Sequence, residues 1–385
     1  MARSGLPIGC SVRIEKPDLQ AVIDRLLELG YRVVGPRVSE SAVVLGEIRT
    51  LDDLPIGISD VQEAGKYRLE RRDDGMYFNH VVGPNSLKEL VFPPQTTLLT
   101  CRDQDGRMAI EMQSDEPPPV AVLGARACDL HALQCQDRIF LGDRYVNPDY
   151  LKRRQGLFLI AVNCSRAAET CFCTSTATGP AVASGFDLCL TEMSGHFLVE
   201  VGTERGGDLI AAAPWRPCST REVIDAQQVP RRAEQQMEAR RHPSPGQPKG
   251  RHLETAGLRE LLLANLEHDE WAKVGERCLA CGNCTMVCPT CFCSRVDEVN
   301  DLLGGSTRRV QCWDSCFTAE HSYMNSGTVR KATSARYRQW LTHKLATWHD
   351  QFGSSGCVGC GRCITWCPVG IDLTAEVAAI RGGNP

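Results

Sequence analysis

Long apolar segments are missing from this sequence. No run approaches the roughly 18 uninterrupted apolar residues of a membrane-spanning helix, so we expect no membrane partner. The N-terminal segment MARSGLPIGCSVRIEKPDLQ also lacks the apolar core of about 7–15 residues that secretion signals carry. These two absences together predict a cytoplasmic protein.

Motifs of nucleotide-binding and hydrolytic enzymes are missing as well. The chain has no G-x-G-x-x-G fingerprint, no P-loop and no H-E-x-x-H pair, so we expect no flavin or NAD(P) site and no catalytic residues in it. A net charge of −4 and the lack of a basic helix argue against a nucleic-acid partner. What remains is a globular composition, with 42% hydrophobic and 23% charged residues among 385.

Cysteine is the residue that the chain has in excess. There are 21 cysteines, and twelve of them lie between Cys278 and Cys367. Because thiols stay reduced in the cytoplasm, so many cysteines in a long chain indicate metal ligation or redox chemistry rather than disulfides. Their distribution also separates a cysteine-rich C-terminal part from the rest of the chain.

Local patterns predict an α/β (α+β) N-terminal domain at residues 1–228. The segments VAVLGA and LFLIAV are continuous apolar runs typical of strands buried on both faces, and KPDLQAVIDRLLELG has the apolar spacing of a helix. Residues 229–254 carry four prolines and few apolar residues, which indicates a Pro/Arg-rich linker or surface excursion. Residues 255–385 follow as a mainly α domain that begins with the leucine-rich helix LRELLLANLEHDEW.

Two cysteine motifs of identical spacing occupy the C-terminal domain. CLACGNCTMVCP and CVGCGRCITWCP both have the spacing C-x2-C-x2-C-x3-C-P, which is typical of ferredoxins with two [4Fe–4S] clusters. Three cysteines of each motif bind one cluster and the fourth binds the other, whereas paired zinc sites would leave half of the cysteines unexplained. The first ligand set is therefore predicted as Cys278, Cys281, Cys284 and Cys367, and the second ligand set as Cys357, Cys360, Cys363 and Cys288.

Another group of cysteines lies in the N-terminal domain. The stretch from VAVLGA to LFLIAV has the pattern strand, helix, strand, and the carboxyl ends of both strands of such a unit lie at one sheet edge. Cysteines follow both strands, and the tetrapeptide TCFC comes shortly after the second. The third ligand set, for a third [4Fe–4S] cluster, is predicted as Cys128, Cys164, Cys171 and Cys173. Buried apolar cysteines, a zinc site or a redox-active thiol pair would also fit this spacing.

The insert between the two motifs carries further cysteines and charge. The cysteines Cys291, Cys293, Cys312 and Cys316 could supply a fourth cluster by number. Since Cys291 and Cys293 follow Cys288 so closely, we expect them instead to pack or hydrogen-bond around the clusters. The basic run RKATSARYRQW could balance the charge of the clusters, meet an acidic partner or form a solvated face.

The order of the motifs resembles a known family. GARACDLHAL, VNCSRAAETCFC, GFDLCLTEM, CLACGNCTMVCPTCFC, WDSCF and CVGCGRCITWCP are similar, in this order, to the iron–sulfur β subunit of cytoplasmic NAD(P)-linked [NiFe] hydrogenases, the sulfhydrogenases. The resemblance covers roughly residues 120–370. It implies a subunit that relays electrons between an NAD(P)H-oxidising flavin subunit of diaphorase type and the small and large subunits of a hydrogenase. It also supports the third ligand set.

Other functions are compatible with parts of the sequence. The same motif order resembles the first, electron-transferring subunit of the anaerobic, sirohaem-containing sulfite reductases, which would make the sulfite reductase catalytic subunit the partner. An iron–sulfur sensor protein is an alternative from another class, although the negative net charge disfavours nucleic-acid binding. A thiol–disulfide enzyme that uses the C-x-C pairs is a third, and it would be active without iron.

Overall fold

The computed structural model describes residues 5–104, 107–112, 116–142, 144–241, 251–301 and 305–382. The strands are β1 (Ser11–Glu15), β2 (Arg32–Ser39), β3 (Ala42–Glu47), β4 (Ile58–Glu63), β5 (Lys66–Arg71), β6 (Gln95–Gln104), β7 (Arg107–Met112), β8 (Val120–Ala125), β9 (Leu157–Val162), β10 (Leu188–Glu192), β11 (His196–Val201), β12 (Trp215–Pro217), β13 (Ser294–Asn300), β14 (Ser306–Trp313), β15 (Tyr323–Met324) and β16 (Gly327–Thr328). The α-helices are α1 (Leu19–Glu28), α2 (Lys88–Val91), α3 (Ala127–Phe140), α4 (Pro148–Gln155), α5 (Glu204–Ala211), α6 (Thr220–Arg241), α7 (Leu258–Ala264), α8 (Glu270–Arg277), α9 (Asn283–Met286), α10 (Thr333–Thr342), α11 (Trp348–Phe352), α12 (Arg362–Thr365) and α13 (Leu373–Ile380). Short 3₁₀ helices occupy Lys16–Asp18 and Leu51–Asp53, and a π-helical turn at His343–Thr347 joins α10 to α11.

Eight strands form the main sheet, in the order β12-β1-β11-β10-β9-β8-β2-β3. The four strands β10, β9, β8 and β2 run parallel to one another, and the remaining neighbours pair antiparallel. Strands β8 and β9 lie in the middle of the sheet, where all but one of their residues are buried, as their continuous apolar runs predict. The predicted α/β character of the N-terminal part is therefore confirmed.

Helices cover both faces of the main sheet. Leu26 of α1 packs in one apolar core with Ile160 of β9, whereas Leu133 of α3 packs in a second core with Leu159. Neighbouring residues of β9 thus face opposite cores, because side chains alternate along a strand. Helix α1 is followed by Gly30 at φ +82°, a left-handed conformation that glycine adopts readily after a helix.

A smaller sheet joins the two halves of the chain. Its order is β13-β14-β6-β7, so that a hairpin from the insert pairs with a hairpin from the N-terminal part. β14 lies antiparallel to β6, with Ser306 opposite Arg102 and Cys312 opposite Gln95. The insert is therefore anchored to the N-terminal part by backbone hydrogen bonds, and it adds strands to a C-terminal region that is otherwise helical.

Residues 229–241, the first half of the predicted linker or surface excursion, are helical. Helix α6 runs through the predicted boundary at residue 228, with Pro230 inside it and with Ala233 and Met237 buried. Good helix formers and these two anchors outweigh the proline. The remainder of the predicted linker, 242–250, lies outside the described residues. The single leucine-rich helix predicted after residue 255 is in fact two helices, α7 and α8.

Candidate iron–sulfur centres

The first ligand set surrounds one cavity beside α9 and α13. All four of its cysteines lie in the cavity wall. The aromatic part of the wall consists of Phe317, Tyr337 and Trp340. Backbone N–H groups point at two of the sulfurs, with Ala280 N 3.4 Å from Cys278 Sγ and Ile371 N 3.3 Å from Cys367 Sγ. Thiol donors, apolar walls and N–H groups directed at sulfur suit an iron–sulfur cluster, so these residues fit that group.

The second ligand set is more deeply buried. Cys288 and Cys357 are buried, and Gly359 N lies 3.5 Å from Cys357 Sγ. Burial raises the pKa of the Cys363 thiol well above its ordinary value, and the other three thiols of the set raise that pKa further. Thiols that oppose one another's ionisation need a cation among them to become thiolates together, and iron is such a cation.

The structure brings the third ligand set together at the predicted sheet edge. Cys128 lies in the first turn of α3 and Cys164 follows β9. Cys128, Cys171 and Cys173 share one apolar cluster. Cys164 lies near enough to the other three to raise the pKa of each thiol, after the larger effect of burial. Segments far apart along the chain thus bring the four thiols into one neighbourhood, which Cys360 of the second ligand set also borders.

The second and third ligand sets touch through the backbone. Phe172 N donates to Gly359 O at 2.9 Å, and Thr178 Oγ1 donates to Val358 O at 2.7 Å. Gly359 has φ +60°, and a Cβ at this position would lie 2.6 Å from Cys173 Cα. Glycine is therefore required here both by conformation and by close approach. The first TCFC tetrapeptide packs directly on the loop of the second cysteine motif.

A buried lysine lies against the second ligand set. The π-helical turn His343–Thr347 places Lys344 so that Nζ donates to Cys288 Sγ at 3.2 Å, Thr290 Oγ1 at 3.0 Å and Gly356 O at 2.8 Å. Burial opposes the charge of Lys344, but the thiolates around it hold its pKa well above the ordinary value. Sequence reasoning missed this residue, because no local pattern distinguishes it from other helix lysines.

A buried ion pair joins the second ligand set to the third. Arg362 Nη2 lies 2.8 Å from Asp129 Oδ1, and the two side chains are 3% and 8% exposed. Burial opposes the charge, but Asp129, then the thiols of Cys360 and Cys128, hold the pKa of Arg362 above its ordinary value. The guanidinium therefore lies between a cysteine of each set. Its position inside the second cysteine motif is the one sequence signal that could have identified it.

Within the described residues, the four extra cysteines of the insert do not come together. Cys291 lies close enough to Cys288 for the two thiols to affect each other's pKa, and the same holds for Cys293 and Cys316. A supporting role of Cys291 beside a cluster stays a prediction. Cys312 lies on β14, where Asp297 is the charged group that most affects its pKa after burial. The two thiols of the second TCFC tetrapeptide, Cys291 and Cys293, thus have different neighbours.

The basic run of the insert contacts backbone carbonyls rather than thiols. Arg336 donates to the carbonyl oxygens of Arg330 and Phe317, and Arg338 donates to the carbonyl of Leu266. These arginines fix the loops around α10. Positive charge beside the cysteines comes from Lys344 and Arg362, which both lie outside the run.

Residues 277–371, which contain the whole first and second ligand sets, match the family described as the 4Fe-4S dicluster domain. We use the name dicluster domain for these residues. Over 374 residues the chain is 27% identical to the sulfhydrogenase 2 subunit beta of Pyrococcus furiosus, an alignment that covers 97% of this chain and 98% of that protein. The resemblance predicted from the motif order is confirmed, and the similarity extends on both sides of the dicluster domain. No solved structure matches the chain.

The described part of the chain holds neither a membrane-spanning helix nor a site for a single metal ion. None of the described helices is both long and apolar enough to cross a membrane. No three or more His, Cys, Asp or Glu side chains among the described residues converge closely enough to hold one metal ion. The ligand sets differ from such a site, because each cysteine around a cubane binds a different iron.

Proposed function

We propose that this chain is an electron-transfer subunit with three [4Fe–4S] clusters, one in each ligand set. The observation that carries the proposal is the contact of Phe172 and Thr178 with the loop around Gly359, because it joins the third ligand set to the dicluster domain. A bound [4Fe–4S] cluster accepts and returns one electron with little change of geometry. The chain's own residues supply rigid loops, N–H groups directed at sulfur and buried cations around these sites.

The arrangement of the ligand sets supports a relay with the second set in the middle. Cys284 of the first set lies in α9, and Cys288 of the second set follows the end of that helix. Conversely, Cys363 of the second set lies in α12, and Cys367 of the first set follows its end. Cys363 also borders the cavity of the first set. The third set contacts the second through Phe172 and Thr178. Because Cys281 is exposed, we propose that the first set exchanges electrons with a partner protein.

The partners that we propose follow from the named relative. Sulfhydrogenase appears in the name of the Pyrococcus furiosus protein, so we infer a complex with two further modules. One is a flavin-containing, NAD(P)-binding protein of diaphorase type, and the other consists of hydrogenase small and large subunits. We assign no flavin or NAD(P) site and no catalytic residue to this chain. The alternative partner is the catalytic subunit of a sirohaem sulfite reductase.

The number of clusters is tested by iron and sulfide analysis of the anaerobically purified chain. Three [4Fe–4S] clusters give about twelve of each atom per chain, and two give about eight. Replacing Cys171 and Cys173 together by serine should remove about four of each and one set of spectroscopic signals. Cys218→Ser, at a cysteine outside all three ligand sets, is the matched control and should change neither count. A wild-type count near eight would refute the third cluster.

The identity of the complex is tested by co-purification under anaerobic conditions. A nickel-containing partner together with a flavin-containing one would support the hydrogenase complex. A sirohaem-containing partner would replace it by the sulfite reductase alternative. Recovery of the chain without any redox-active partner, at native expression levels, would contradict both complexes.

A further inference from the structure

Two cysteines outside the ligand sets lie side by side at one end of the β13–β14 hairpin. Cys293 immediately precedes β13 and Cys316 follows β14, whose pairing puts Ser294 opposite Trp313. One residue further on, Asp314 N donates to Cys293 O at 2.8 Å. This closure of the hairpin brings the two cysteines close enough together for each thiol to shift the pKa of the other. Both cysteines are partly exposed, so solutes can approach them.

An imidazole and a carboxylate complete the arrangement around Cys293. His321 lies close enough to the thiol of Cys293 for each group to shift the pKa of the other. His321 Nδ1 lies 2.8 Å from Asp314 Oδ2, and Asp314 in turn accepts from Ser315 N at 2.7 Å and from Thr318 Oγ1 at 2.9 Å. A thiol beside an imidazole that a fixed carboxylate orients is the arrangement of an activated nucleophile.

Charge at the site favours the thiolate of Cys293. The neighbouring thiol of Cys316, followed by the imidazole of His321, lowers the pKa of Cys293 to about 4 even though burial opposes this. The same contact raises the pKa of His321 to about 9, and the shared proton of the two thiols stays on Cys316, whose pKa is raised. The other titratable or charged groups that face the site are His343, Cys291, Asp314, Arg295 and Cys284 of the first ligand set.

We propose that Cys293 and Cys316 form a redox-active dithiol that exchanges with low-molecular-weight disulfides, with Cys293 as the attacking thiol and His321 as the group that activates it. This site is distinct from the three ligand sets and goes beyond the electron-relay function. The partial exposure of both cysteines suits a small disulfide. A Cys293–Cys316 disulfide would crosslink the end of the hairpin that joins the insert to the N-terminal part. The ratio of disulfides to thiols in the surrounding solution would therefore determine whether this hairpin is crosslinked.

The reaction has two balanced steps. The Cys293 thiolate attacks one sulfur of a disulfide RS–SR, so that a Cys293–S–S–R bond forms and RS⁻ leaves, taking a proton from the imidazolium of His321. Cys316 then passes its proton to the neutral imidazole and attacks the Cys293 sulfur, which forms the Cys293–Cys316 disulfide and releases the second RS⁻. That thiolate takes the proton from His321. Two protein thiols are oxidised and one external disulfide is reduced to two thiols.

Oxidised glutathione is the probe for the first test, which uses the full chain with its clusters intact under anaerobic conditions. Peptide mass spectrometry should find a Cys293–Cys316 disulfide in the wild type. In Cys316→Ser the exchange should stop at one glutathione on Cys293, and Cys293→Ser should acquire none at Cys316. Cys312→Ser, in the same hairpin but away from the pair, is the matched control and should still form the disulfide.

The second test measures alkylation of Cys293 by iodoacetamide as a function of pH. The wild-type rate should stay nearly constant between about pH 6 and 8, because the thiol is already ionised. In His321→Asn the rate should rise with pH and be about tenfold lower at pH 6. Iron and sulfide contents of every variant should equal those of the wild type. Loss of iron from Cys293→Ser, bound zinc at the pair, or no disulfide and no adduct in any variant would each overturn the proposal.

Discussion

The ammonium group of Lys344 lies 3.2 Å from the sulfur of Cys288. A buried cation this close to a cluster ligand stabilises negative charge on the sulfur and on whatever the sulfur binds. Among the described hydrogen bonds of the cysteines in the first and third ligand sets, none comes from a lysine. Lys344 therefore gives the middle of the proposed relay an electrostatic character of its own.

Replacing Lys344 by methionine should lower the reduction potential of the cluster in the second ligand set. The reduced cluster carries one more negative charge than the oxidised cluster, so loss of the cation destabilises the reduced form more, by on the order of tens of millivolts. Redox titration followed by electron paramagnetic resonance measures the shift. Lys344→Arg, which keeps the charge, is the control. An unchanged potential in a variant with full iron content would contradict the electrostatic role.

Removing either partner of the Arg362–Asp129 ion pair should destabilise the protein. The pair is almost fully buried, so each single substitution to leucine leaves an unpaired buried charge, at a cost of about 3–5 kcal/mol. The double variant should lose much less than the sum of the two single losses. The midpoint temperature at which cluster absorbance disappears measures the three variants. Additive losses would show that the two side chains act independently.

Gly359→Ala should disrupt the contact between the second and third ligand sets. The added Cβ would lie 2.6 Å from Cys173 Cα, and the alanine would also hold an unfavourable φ of +60°. We expect loss of the third cluster, read as about four fewer iron atoms per chain. Gly353→Ala is the matched control, since Gly353 has φ +67° but nothing within 4 Å of its Cβ position. Equal iron losses in both variants would show that backbone strain alone causes the loss of iron in Gly359→Ala.

Stability should depend on pH through Glu376. Burial raises the pKa of this carboxyl to about 7, because it outweighs the hydrogen bond from Arg277, and the neighbouring Glu270 raises it further. Because the pKa of Glu376 in the folded state exceeds the unfolded value of about 4.3, protonation of this carboxyl stabilises the protein. The stabilisation is complete below about pH 4.3 and is lost as the pH rises through about 7. Glu376→Gln should abolish the fall in thermal midpoint between pH 5 and 8. An equally steep fall in that variant would exclude Glu376 as its cause.

Patterns that are local in sequence were sufficient for much of this fold. The apolar runs of β8 and β9 predict central strands, because a strand covered on both faces can only be apolar. The C-x2-C-x2-C-x3-C spacing likewise predicts two ligand sets, because it reflects how a short loop wraps a cubane. The strand–helix–strand pattern correctly placed Cys128 and Cys164 at one sheet edge.

Contacts between distant segments could not be predicted in the same way. Arg362 and Asp129 are 233 positions apart, and Lys344 reaches Cys288 across 56 positions, so no periodic pattern connects them. The same is true of Cys293 and His321, which meet only because the insert folds into a hairpin. For α6, the prolines suggested a linker, but burial of Ala233 and Met237 against the rest of the chain outweighed local composition.

The pairing of β14 with β6 limits how far the chain can be truncated to make a smaller electron-transfer protein. Cutting the chain near residue 255 would remove β6 and leave one side of β14 as a bare edge, which is prone to aggregation. The cut would also remove Phe172 and Thr178, which donate hydrogen bonds to the loop around Gly359. Two surfaces of the dicluster domain therefore pack against the other half of the molecule. It should be studied only within the whole chain.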